Sequence, residues 1–495
     1  MSRQIAITKR LTSPALAIVV SLGLYLLLTS TLFPPYLLAV FDAKRLLQLV
    51  LFTAAMVFTV SWAPLRTKTI EQLSRLSPLS RSLLALFFLI GIASSVRLEH
   101  PAYALADVSM LFMMIILVAI TAASRELSGR RFDKWAVILI AAMGFAVAIQ
   151  EFMGFVVGWV IGSEFNYTQA FVHFAHPRFY NQLQTWSIPI LAALPLVFPG
   201  KRWIKISCIV LLGLQWFLVI AVAARGTVVS LFMAMAFIAL WLPESRKFWV
   251  KYQFAGLLCG IVIYSGVLFL NGLLIPHSQS GEFYAHSVGR SMAHTSGRSA
   301  FWRLSMEDGI NHPLLGTGPA QYACDSDHWV PAHPHSFPLR IMAEWGLIAA
   351  LLVLGLFVTI GLKFLKNLKF QGSISQTGPP LKAILAISLI AGGIHACLSG
   401  LLIMPASQAA LILIAGWSLS LSVNTRTQPK TLVLAGPLLV VSMFFASATL
   451  VFATMEITQL PLRTSYSEDD GPMVPRFWQN GRTCEYSYAQ AETGM

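Results

Sequence analysis

The stretch PALAIVVSLGLYLLLTSTLF at residues 14–33 decides the class of fold. It carries no charge, and at ~1.5 Å per residue a helix of this length crosses the ~30 Å hydrocarbon core of a bilayer. Arg3, Lys9 and Arg10 precede it, as in a secretory leader, but no small-x-small cleavage site follows. A first span retained in the mature chain is therefore expected. Working outward, similar runs lie near 46–63, 82–97, 105–123, 135–160, 181–200, 203–222, 226–243, 253–274, 341–362, 383–402, 407–423 and 432–455. The whole chain of 495 residues is 56% hydrophobic and 11% charged, with mean hydropathy +0.69. Water-facing surfaces need more charge than that. The expected fold is an all-α integral membrane protein of about 12–13 transmembrane helices. Four parts follow: helices one to nine in 1–274, a long loop in 275–340, helices ten to thirteen in 341–455, and a tail in 456–495.

Charge gives these parts sides. With the amino terminus in the cytoplasm, 23 of the 35 Lys and Arg fall in or beside cytoplasmic segments, the positive-inside bias. The net charge of +14 is spread over these flanks, so membrane lipids rather than nucleic acid are the expected partners. The outer set differs in kind. Lys44 is its single lysine, beside Arg45, Arg97, Arg178, Arg225, Arg290, Arg298, Arg303, Arg340, Arg463, Arg476 and Arg482. Orientation does not require arginine over lysine. A planar, forked donor matches phosphate and carboxylate bidentately, which points to a phosphorylated ligand outside; the plainer alternative is arginine's general frequency at interfaces. Ten of the eleven His also lie in outer segments, and His395 sits in the outer half of its span. Cys208, Cys259 and Cys397 fall inside spans as packing residues. Cys324 in the loop and Cys484 in the tail share an oxidising side and form a possible disulfide.

Three places hold the chemistry. The loop is rich in His, Arg and Trp, unlike a linker. Within it, RSAFWRLSMEDGIN (298–311) reads as a short amphipathic helix on the membrane surface. HPLLGTGPAQY (312–322) reads as a tight turn with exposed backbone, and HPHSFPLRIMAEWG (333–346) leads into the next span. Arg225 stands between two apolar runs, where a charge either anchors the interface or binds something. Asn181 and Gln184, at the outer start of a span, suit hydrogen bonds to a sugar, although packing explains them as well. Asp325, Asp327, His328, His333 and His335 are metal-ligating types without a metal-binding spacing, so neither a metal nor a cofactor is expected. There is no GxxxxGK loop for ATP. The spans are also expected to lack the buried carboxylate or basic pairs typical of an ion-coupled pathway.

In this order, RGTVVSLF (225–232), SGRSAFW with HPLLGTGP (296–319) and HPHSFPLRIMAEWG (333–346) resemble the O-antigen ligase superfamily. That superfamily includes O-antigen polymerases and protein O-oligosaccharyltransferases. The last segment aligns His335, Leu339, Glu344 and Gly346 with the signature H-N-x-x-L-x-x-x-x-E-x-G, departing from it at Ser336 and Pro338. The resemblance implies a GT-C-like fold in the bacterial inner membrane, with the loop in the periplasm. It implies transfer of a glycan from undecaprenyl diphosphate to an acceptor hydroxyl on lipid A–core, a growing polymer or a protein. Carried over by position, His335 would be the base, and Arg225 and Arg298 would hold the diphosphate. Arg290, Arg303, His312, His333, Asn181, Gln184 and Glu344 would line the substrate.

The residue types suit that chemistry. Negative charge grows on a phosphate oxygen as the glycosidic bond breaks, and fixed guanidinium groups stabilise it. A sugar hydroxyl needs its proton accepted, and imidazole can accept one near neutral pH. The donor brings its own activation, and direct displacement with inversion requires no covalent nucleophile. A polysaccharide exporter or flippase would also bind lipid diphosphate, but would place its charges in a cavity reachable from both faces. A non-catalytic scaffold would leave the outer Arg and His without a purpose.

Overall fold

The computed structural model describes residues 2–32, 38–99, 101–162, 171–174, 176–274, 298–324, 332–369, 378–421, 435–463 and 476–478. Among these residues all long elements are helices. The first group is α1 (Ser2–Thr31), α2 (Val40–Ser61), α3 (Ala63–Ser74), α4 (Pro78–Val96), α5 (Pro101–Ser128) and α6 (Arg130–Ile161). The second is α7 (Pro177–Leu191), α8 (Leu194–Val197), α9 (Arg202–Ala221), α10 (Arg225–Trp241) and α11 (Pro243–Leu274). The third is α12 (Arg298–Asn311), α13 (Phe337–Trp345), α14 (Leu347–Lys369), α15 (Gly378–Leu398), α16 (Pro405–Leu421) and α17 (Ala435–Arg463).

Ten of these helices are long and apolar enough to cross a membrane, and α10 and α16 are shorter apolar helices of 17 residues each. The chain is thus an all-α, multi-pass membrane protein. Two expected spans are divided. The run 181–200 becomes α7, with Pro189 inside its last turn, and α8, which starts around Pro195. A proline lacks the N–H that would continue the ladder, and its ring crowds the preceding turn. The run 341–362 breaks at Gly346, whose φ of 91° lies outside helical space and separates α13 from α14.

Helix α1 packs against α5 and α6, α16 against α5, and α17 along α2. Helix α15 bridges α7 and α10, and α12 lies on α13. These contacts bring the amino-terminal ends of α7, α10 and α12 towards the segment leading into α13.

Carboxylates do stand within the spans, each with a distant partner: Asp107 in α5, 18% exposed, is paired with Arg340 outside the spans, and buried Glu151 in α6 accepts the backbone N–H of Phe171 on both oxygens at 3.1 Å. The partners lie far away in sequence, so apolar runs read one at a time could not reveal them.

Candidate active site

Three helix starts place three arginines. At α7, Pro177 occupies the first turn and the His176 Nδ1 accepts the Arg178 N–H at 3.0 Å, which fixes where the helix begins. Between α9 and α10 the chain turns through Ala223 at φ 50°, and the Arg225 N–H donates to the Ala223 oxygen at 2.8 Å. This left-handed alanine is a strained position that makes Arg225 the first residue of α10. Arg298 is likewise the first residue of α12.

The Arg298 guanidinium feels the other two. Burial holds Arg298 below its usual value, and the positive charges of Arg178 and Arg225 push the same way. Helix N-termini already carry partial positive charge, so cations are the least favoured residues there unless an anion is to be held.

His335 faces this group. It is a non-glycine residue at φ 54°, and its N–H donates to His333 Nδ1 at 3.1 Å. The two imidazole rings meet edge to face, with centroids 4.4 Å apart. The turn is braced from α12, where the Trp302 indole N–H donates to the Pro334 oxygen at 3.1 Å. It is braced again at Gly400, where any side chain would strike the His333 ring. Ser336 stands at the N-cap of α13 without a side-chain capping bond, and Pro338 sits in the first turn, where a proline is tolerated. Both departures from the family signature are therefore accommodated. Burial, then Arg298 and Arg178, pull the His335 pKa down to about 4. His333 is pulled well below its ordinary value by burial, His335, Arg476, Arg340 and Arg298. A small cleft beside His333 is lined by Ser336, Arg340, Ser399 and Ile403.

The turn expected to expose its backbone is instead docked. Thr317 N–H donates to the Ala343 oxygen and Gly318 N–H to the Glu344 oxygen, each at 2.9 Å. Gly316, at φ 63°, lies so close that a Cβ would come 2.3 Å from the Glu344 carbonyl carbon. A Cβ on Gly346 would come 2.7 Å from the Pro313 oxygen. HPLLGTGP and the end of HPHSFPLRIMAEWG are thus two halves of one backbone-to-backbone joint, and only glycine permits its approach and its positive φ angles.

Beneath the arginines runs a buried polar chain. His395 Nδ1 and Thr185 Oγ1 are 2.7 Å apart, and Thr185 and Thr227 both donate to the Asn181 oxygen, at 3.1 Å and 2.9 Å. Asn181 Nδ2 donates to Gln184 Oε1 at 2.8 Å, and Gln184 donates to Gln215 Oε1 at 3.0 Å. Those bonds hold α7, α9 and α10 together, which suits the packing reading of Asn181 and Gln184 better than contact with a sugar.

Glu344 is fully buried and bonded to Arg340 and Arg476. Its carboxylate holds the protein together rather than facing a ligand. Arg303 pairs with Glu307 at 3.5 Å on the exposed side of α12. His312 is exposed past the far end of that helix, roughly 20 Å from Arg298 along its axis. Neither joins the arginine group. Arg290, Asp325, Asp327, His328 and Cys484 lie outside the described residues, as does the side chain of Cys324, so the possible disulfide does too. Cys208, Cys259 and Cys397 are free thiols on α9, α11 and α15. Sequence reasoning did not name Arg178, His395, Asp107, Arg340 or Arg476 as site residues. Arg178, Arg340 and Arg476 were visible only as members of the outer arginine set, and His395 only as a histidine in the outer half of its span.

Residues 208–354 match the family model described as O-antigen ligase. Over that stretch the chain resembles the O-antigen ligase family. The match runs from α9 into α14 and includes Arg225, Arg298, His335, both halves of the glycine joint and Glu344. Arg178, Asp107, His395 and Arg476 reach the matched stretch from outside it. A comparison with curated proteins finds no match.

Proposed function

We propose that this O-antigen ligase-like protein transfers a glycan from a lipid diphosphate, of the undecaprenyl type, to an acceptor hydroxyl on the periplasmic side of the bacterial inner membrane. One observation carries the reading: at three helix starts Arg178 and Arg225 stand close enough to act on Arg298, and Arg298 and Arg178 in turn act on His335. An anion with several oxygens, at the depth of lipid headgroups, is the ligand such a place stabilises best. The orientation rests on the excess of Lys and Arg in the opposite set of segments.

The acceptor oxygen attacks the anomeric carbon as the bond to the diphosphate breaks, and the electron pair leaves on the phosphate oxygen. Arg225 and Arg298, with Arg178, take up that growing charge. The hydroxyl proton passes to His335. Its pKa of about 4 makes His335 neutral but only weakly basic. Burial is the larger cause and remains, but a bound diphosphate offsets the guanidinium charges that add to it, so basicity rises as the donor arrives. The base is thereby tuned by its own substrate.

Purified protein in bilayers, supplied with a lipid-diphosphate glycan, tests the reading. Transfer should be lost in His335→Ala with protein abundance unchanged, and near-normal transfer by that variant would defeat the assignment. The acceptor follows from deleting the gene. Accumulated lipid-linked polymer with uncapped lipopolysaccharide marks a ligase, accumulated single repeat units mark a polymerase, and unmodified glycoproteins mark a protein oligosaccharyltransferase.

A further inference from the structure

Residues 476–478, Arg-Phe-Trp, form an island of the tail held inside the protein. Exposure falls to 2%, 5% and 1% for the three side chains. The Arg476 N–H donates to the Trp478 oxygen at 2.8 Å, closing a tight turn. Arg45 from α2 donates its Nε to the Phe477 oxygen at 3.2 Å, while its other nitrogens bond Gln48, Gln408 and the Ile403 oxygen, each at 2.6 Å. Phe477 packs on Tyr103 and Phe452, from α5 and α17.

Arg476 then reaches the base of the histidine turn. Its Nη2 bonds Glu344 Oε2 and lies 3.6 Å from Asp107 Oδ2. Arg340 pairs with the same Asp107 and lies 3.3 Å from the same Glu344 oxygen. Two cations and two anions thus close a buried ring that joins the tail, α5 and α13. Arg340 belongs to the first turn of α13, only five residues after His335.

Stability alone does not account for this arrangement. Burying ions is expensive, and apolar residues of similar volume often serve as well or better. Here, moreover, Arg476 Nε and Nη1, Glu344 Oε1 and the Trp478 indole N–H make no hydrogen bond with the described residues. An ion ring does, however, fix an angle that apolar packing leaves soft.

We infer that the tail segment Arg476–Trp478 is a docked clamp, and that Arg476 is a positioning residue which sets the His333–His335 turn through Glu344 and Arg340. The catalytic consequence rests on the transfer reading above, whereas the clamp itself does not. His333 is faced by His335 from its own turn, Arg340 from α13, Arg298 from α12 and Arg476 from the tail. Removing Arg476 takes one cation from His333 and leaves an uncompensated carboxylate in the ring.

The test has two arms, both on the full chain. In the first, diethyl pyrocarbonate labels histidines in purified protein, and mass spectrometry follows His335. Arg476→Met should label several-fold faster at His335 than wild type, with Arg476→Lys between the two. Unchanged labelling in Arg476→Met overturns the clamp. The second arm measures transfer. Arg476→Met should lower kcat by about ten-fold or more, the scale expected when a reacting group is displaced by a fraction of an ångström. Donor KM should stay within about two-fold, because no donor-binding arginine changes. The double variant Arg476→Met/Glu344→Gln, which restores charge balance, should recover part of the loss. Normal kcat in Arg476→Met, or a double variant worse than the single, overturns the positioning role. If wild type transfers no glycan, the transfer reading fails, while the labelling arm still decides the clamp.

Discussion

Two groups of arginines lie on either side of the His333–His335 turn, and they are built oppositely. Arg178, Arg225 and Arg298 crowd like charges together at helix starts, so that Arg298 feels repulsion from the other two. Arg340 and Arg476 are interleaved with Asp107 and Glu344, each cation bonded to a carboxylate. The first group gains when an anion arrives, while the second is already satisfied and has only its geometry to lose. On the proposed reading the same side chain is a ligand donor in one place and a brace in the other, and its neighbours decide which.

The largest effect should come from breaking the first group. Arg225→Ala and His335→Ala are each expected to lower transfer by about 100-fold or more, measured as product formed per mole of membrane protein. Arg225→Lys keeps charge but not the fork and should fall between alanine and wild type; a fully active lysine variant would reduce Arg225 to an anchor. Next comes the joint that carries the second group. Gly346→Ala puts a Cβ 2.7 Å from the Pro313 oxygen at φ 91° and should destabilise the protein by at least about 1–2 kcal/mol, read as a lower melting temperature in detergent.

A smaller effect concerns pH. An unfolded histidine titrates near ~6.5, whereas His335 in the fold titrates at about 4. Between those values the unfolded chain binds a proton that the folded one refuses, so stability should fall as pH drops from ~6.5 towards 4 and level off below. His335→Gln should flatten this slope in a melting series, leaving the share due to His333, which burial also depresses. An unchanged slope would mean that His335 is not buried among cations. Smallest of all is Arg303→Ala. Its exposed pair with Glu307 should be worth under ~1 kcal/mol, with transfer near normal; a large loss of transfer would extend the first group along α12.

Much of this was legible in the sequence, and the limits are physical. Apolar runs reveal helices because a bilayer leaves the backbone few alternatives. The segment 298–311 could be read as a helix with those bounds from its own residues. Arg225, Arg298 and His335 were visible because all three lie in motifs that keep their order. Three kinds of feature were not visible. Prolines at 189 and 195 divide one expected span, which an averaged hydropathy overlooks. The glycine joint looked like a loose turn because its partner carbonyls belong to another motif. The ion ring draws on residues 107, 340, 344 and 476, separated by up to several hundred positions, and beyond the i, i+4 pair Arg340–Glu344 no local pattern links them.

The 17 residues of α10 have a further consequence. At ~1.5 Å per residue they rise only about 26 Å, short of the ~30 Å that hydrocarbon chains ordinarily occupy. A bilayer can meet so short a helix by thinning locally, at a modest energy per ångström, so that its polar boundary dips to the helix ends. Arg225 is one of those ends. On the proposed reading, that would let a lipid-linked donor meet the site at its own depth, without being lifted out of the membrane.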